Sequence, residues 1–94
     1  MTTAQIGLPG HELVRSGLED LAAGRETEAG LLVAMAAPRL RALGVEVPAG
    51  GGSFPSHRLY ELLARSDAGA HSRYNALVGR IVSFARAAEH AAAR

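Results

Sequence analysis

The densest polar stretch of the chain runs Arg65-Ser66-Asp67-Ala68-Gly69-Ala70-His71-Ser72-Arg73-Tyr74-Asn75. An imidazole moves a proton near neutral pH, and a nearby guanidinium holds a phosphate or stabilises a developing oxyanion. Arg65 and His71 together are therefore groups of the kind that cleave RNA. Arg73, Tyr74, Arg80 and Arg86 extend them into a candidate anion surface for phosphate or base contact.

The spacing of Arg65 and His71, five residues apart in between, resembles the signature of the helical HEPN ribonuclease superfamily, an Arg followed after four to six residues by a His. The resemblance implies a small helical bundle that pairs so that motifs from two chains form one site, and a toxin-type role with a cognate antitoxin. It rests on two residues and a generic fold. Ser66 stands where that family usually carries an amide, an acid or a His, and in a chain with ten Arg and four His such a spacing arises about once by chance.

Other constellations are incomplete. His57 and Glu61 lie one turn apart on a predicted helix, but two ligands do not make a metal site, and neither H-x-x-x-H nor E-x-x-H occurs, so the pair reads as a surface ion pair and no metal is expected. Six serines, four histidines and two aspartates coexist, yet the strand-turn-helix elbow that presents a nucleophilic serine is missing. A phosphate-binding loop needs a lysine after its glycines. The chain has none, so Gly50-Gly51-Gly52 read as a plain hinge. No cysteine is present, which removes disulfides, thiolate ligands and thiol nucleophiles. No cofactor is expected.

The elements that must carry these residues follow from composition and periodicity. Apolar residues make up 48% of 94 and aromatics 4%, with 19 Ala and 12 Leu against 6 Val, a mixture that favours helix over strand. After the Pro9-Gly10 turn, Leu13, Val14, Gly17, Leu18 and Leu21 recur on one stripe until Gly24 stops it. Thr27 is a suitable N-cap for a second helix, apolar nearly all round through Leu31, Leu32, Val33 and Met35, which Pro38 must kink or break near Ala36 before it restarts and ends at Gly44. Residues 45–55 form a flexible Gly-rich loop. Ser56 is placed to cap a third helix with Leu59, Tyr60, Leu62 and Leu63 on its inner stripe, and Asp67 to cap a long last helix through Tyr74, Leu77, Val78, Ile81, Phe84, Ala85 and Ala88.

These elements predict one all-α domain, a small four-helix up-and-down bundle whose second helix is kinked or broken at Pro38. A chain this short buries only ~60–65% of its unfolded surface, and Ala-rich stripes bury little area per residue, so a homodimer is expected. Charge is unevenly spread: residues 1–47 carry −2 and residues 48–94 carry +3, placing any anion surface in the second half. The start of the chain has no signal-peptide pattern, and the longest apolar run, 29–37, is far below the ~20 residues of a membrane span. The expectation is a cytoplasmic, non-enzymatic helical accessory protein that binds itself or another protein and no membrane. The alternative is an RNA-cleaving or RNA-binding domain using Arg65 and His71.

Overall fold

The computed structural model describes residues 5–66 and 69–93, and among them every regular element is a helix. The order is α1 (His11–Ala22), α2 (Glu28–Met35), α3 (Ala37–Ala42), α4 (Pro55–Ser66) and α5 (Ala70–Ala92). The 23 residues of α5 run for about 35 Å, which accounts for most of the molecule's longest dimension of 41 Å. No helix among the described residues is long and apolar enough to cross a membrane.

The short α2 is the centre of the fold. It packs against α1, α4 and α5, while α5 also touches α4 and reaches α1. Leu31, Leu32 and Val33 are buried on successive sides of it, as an all-round apolar sequence requires. Val14, Leu40, Leu59, Leu63 and Phe84 close over them with no exposed surface. Phe84 is the one fully buried ring, with Tyr74 packed against the core from its edge. Gly17 sets the closeness of α1 to α2, because a Cβ at that position would run into the Ala29 carbonyl and a Val33 methyl.

Local chemistry fixes the helix ends. Thr27 caps α2 through its hydroxyl, which accepts from the Gly30 amide at 3.0 Å and donates to Asp20 at 2.6 Å, and Arg25 donates to the same carboxylate at 3.0 Å. This small network locks the turn between α1 and α2. The break falls at Ala36, with Pro38 in the first turn of α3, where its missing N–H costs nothing. Gly44, at φ 86, ends α3.

Two expectations are corrected. Pro55 opens α4, so Ser56 lies inside the first turn and not at the cap, and the Phe54 carbonyl accepts from the Arg58 amide there. Tyr60 is 39% exposed instead of sitting on the inner stripe, since it stands one residue, or ~100° of helix, away from Leu59. The second helix is broken at Ala36, as Pro38 leads one to expect, and its restarted part stands as α3, so five helices are counted in place of four. Asp67 lies outside the described residues; α5 begins after Gly69.

Ion pairs join the two halves of the chain. Arg58 and Arg73 of the basic second half bond Glu26 and Glu28 of the acidic first, and in the opposite sense Glu89 accepts from Nε and Nη2 of Arg39, each at 2.7 Å.

Candidate functional site

The main cleft is a space of about 510 Å³, within the range of small-ligand and side-chain pockets. It opens where the end of α1, the start of α2 and the first two turns of α4 meet the glycine loop. Leu21, Leu31, Ala49 and Phe54 supply its apolar walls, and Arg25, Glu26, His57, Arg58 and Glu61 its charged rim. Gly51 makes the wall possible. It adopts φ 82, and a Cβ there would come within 2.5 Å of the Ala34 methyl, so only glycine lets the loop lie so close on α2. The chain leading into the loop is tied down by Gln5, which donates to the Leu43 carbonyl at 3.3 Å, and by Arg41, which donates to the Val47 carbonyl at 2.9 Å.

The rim is a ribbon of alternating charge. Arg58 holds Glu26 in a fork, through Nε at 2.9 Å and Nη2 at 2.6 Å, and its other nitrogen lies 3.9 Å from Glu61. Glu61 in turn lies 3.4 Å from His57 Nε2. Hydrogen bonds from Arg58 hold the Glu26 carboxyl below its usual range, against a smaller opposing effect of desolvation, and the charges of Arg58 and Arg65 add to the lowering. The reciprocal bond raises the Arg58 guanidinium. Both shifts deepen the charged state. A general acid or base needs the opposite, a pKa moved toward neutrality.

Phe54 is the most exposed large apolar residue described, at 75%, and it stands at the cleft wall. An aromatic ring left in water beside an apolar hollow is the unusual feature of this surface. Sequence reasoning passed over it, treating 45–55 as a connector. The available signal was a large ring directly after three glycines and a serine, in a chain with only two Phe.

The residues expected to form a nuclease or anion site are spread over the α4–α5 end and the outer face of α5. Arg65 is exposed, and its charge acts on Glu26, on the Arg58 side of α4. His71 is exposed, with its Nε2 3.3 Å from Asn75 Nδ2 and its ring edge-on to Tyr60 at 6.5 Å. Tyr60 follows Arg58 by two positions, about 200° around the helix, so Arg65 and His71 are associated with different sides of α4. Neither lines the main cleft. Arg73 is engaged by Glu28 at 2.8 Å, and Tyr74 packs on Tyr60 at 5.7 Å. Arg80 borders a shallow groove of about 430 Å³ with Pro9, Gly10, Ala76, Gly79 and Ser83. Arg86 is exposed and adds to the charge acting on Glu89. His57 and Glu61 form the exposed i, i+4 pair that their spacing implies, but at the rim of the cleft. Among the described residues no three His, Asp or Glu side chains gather as metal ligands would.

Comparison with family models, with curated proteins and with solved structures finds no match. The site is therefore read from its own geometry.

Proposed function

We propose that the chain is a non-enzymatic helical interaction protein, an up-and-down bundle acting in the cytoplasm as a homodimer, whose main cleft receives an apolar side chain from a protein partner. One observation carries this reading: the cleft walls are apolar while every charged group of the rim is already paired, Arg25 with Asp20, Glu26 with Arg58, and Glu61 with Arg58 and His57. Paired rim charges exclude water and set register, and an apolar floor supplies binding energy, which is the division of labour found in protein interfaces.

The test is a titration of the isotopically labelled chain with N-acetyl-phenylalaninamide. Amide shifts concentrated on Leu21, Leu31 and residues 50–54 are the expected result. Shifts absent from those residues at millimolar probe would overturn the docking reading. So would RNA cleavage by the chain that His71→Ala abolishes, because that outcome assigns the function to the α4–α5 end instead.

A further inference from the structure

We infer that the occupant of the cleft is Phe54 of a second copy of this chain, so that two copies exchange these rings across a twofold axis. The inference rests on the docking reading above and names the partner.

A twofold interface uses the same patch on both copies, which must therefore carry both a projection and its own receptor. This patch does. Phe54 projects with three quarters of its surface in water, and the apolar hollow lies directly beside it, with Leu21 and Leu31 in its wall. A buried aromatic anchor contributes ~150–250 Å² of contact, and a cleft of about 510 Å³ has room for one.

The charges around it suit a second copy better than a strongly acidic or basic partner. The rim balances Arg25 and Arg58 against Glu26 and Glu61, with both arginines already paired within the chain, so a second copy meets no block of like charge. A uniformly charged partner would gain at one rim residue and lose at the next. The approach is also open: a Cβ at Gly52 would have nothing within 4 Å, so the loop presents bare backbone where a partner's surface must come close. The benefit to the fold is clear, because a chain with 19 Ala and one fully buried ring is short of apolar area, and pairing the exposed Phe54 surfaces adds some.

Sedimentation equilibrium of the wild type, Phe54→Ala and Phe54→Leu decides the matter, with circular dichroism to check that all three keep the same helix content. The wild type is expected to dimerise in the micromolar range, Phe54→Ala to weaken the dimer by more than about thirtyfold, as loss of a central aromatic anchor does, and Phe54→Leu to fall between. A wild type that stays monomeric at several hundred micromolar overturns the exchange. A dimer that survives Phe54→Ala unchanged overturns it as well. If the wild type is monomeric but N-acetyl-phenylalaninamide still shifts Leu21, Leu31 and residues 50–54, the exchange fails and the docking reading stands. If the probe does nothing either, both fail.

Discussion

Arg58 grips Glu26 with two guanidinium nitrogens, at 2.9 and 2.6 Å, across 32 positions of sequence. The fork ties α4 to the residue just before the α2 cap, and so holds together two of the elements that wall the cleft. Bidentate geometry of this kind adds direction as well as attraction. It is a contact that determines shape more than stability, since exposed ion pairs contribute little.

The same fork sets a pH dependence. Glu26, Glu89 and Asp20 are all lowered, the first two by their arginines and Asp20 by the Thr27 hydroxyl first and Arg25 second. A carboxyl with a lower pKa folded than unfolded adds stability that is fully present above its ordinary value, 4.5 for Glu and 3.8 for Asp, and is lost as pH falls through the lower folded value. Melting temperature is therefore expected to be level above about pH 5 and to decline below pH 4. The triple variant Asp20→Asn, Glu26→Gln, Glu89→Gln should melt lower at pH 7 and show a shallower acid decline. Because Glu26 and Glu89 are exposed and Asp20 is half-buried, the difference should shrink in 1 M salt without vanishing; an unchanged acid slope in the variant would contradict the assignment.

Two glycines within helices should respond to alanine in opposite directions. Gly17→Ala places a methyl against the Ala29 carbonyl and Val33, and the strain of overpacking, about 1–3 kcal/mol, exceeds the ~1 kcal/mol that alanine gains in helix propensity. Gly79→Ala meets nothing within 4 Å and keeps that gain, for about 0.5–1 kcal/mol of added stability. Urea denaturation of the two variants measures both signs.

Features governed by neighbours in sequence were legible, and those governed by distant partners were not. Thr27, Pro38 and Gly44 act within a few residues, so the α2 cap, the break at Ala36 and the stop after α3 could be read directly. Leu59 and Leu63 share a stripe by periodicity alone. Tyr60, one residue beyond Leu59, falls at the edge of that stripe; which neighbours it meets there, His71 and Tyr74, depends on where α5 lies. The cleft was hidden for the same reason. Glu26 is unremarkable until Arg58 reaches it from 32 residues away, and a run of glycines reads as a spacer until Gly51 is found pressed on Ala34.

Thr27→Ala is expected to cost about 1 kcal/mol, with a range of about 0.5–2, because it removes the acceptor for the Gly30 amide and the donor to Asp20 together. Thr27→Ser keeps both bonds and should recover most of the loss. Chemical denaturation distinguishes capping from bulk: if serine fails to rescue, the Thr27 methyl and not its hydroxyl holds the turn.

Phe54→Trp converts the exchange of rings into a spectroscopic signal, because the chain has no other tryptophan. In a dilute monomer the indole replaces a ring that is 75% exposed and should emit like a hydrated tryptophan. As concentration rises and the indole enters the apolar hollow of a second copy, its emission should move to the blue and become harder to quench with iodide. Unlabelled wild type added in excess should produce the same change at constant tryptophan concentration, since its cleft can receive the indole. Ala49→Glu puts a carboxylate on the exposed wall of the cleft and should abolish the change when it replaces the wild type in that mixture, with circular dichroism to check that the helices are kept. A blue shift with concentration that is indifferent to Ala49→Glu would place the ring against some other surface of the partner, and the cleft would lose its claim to it.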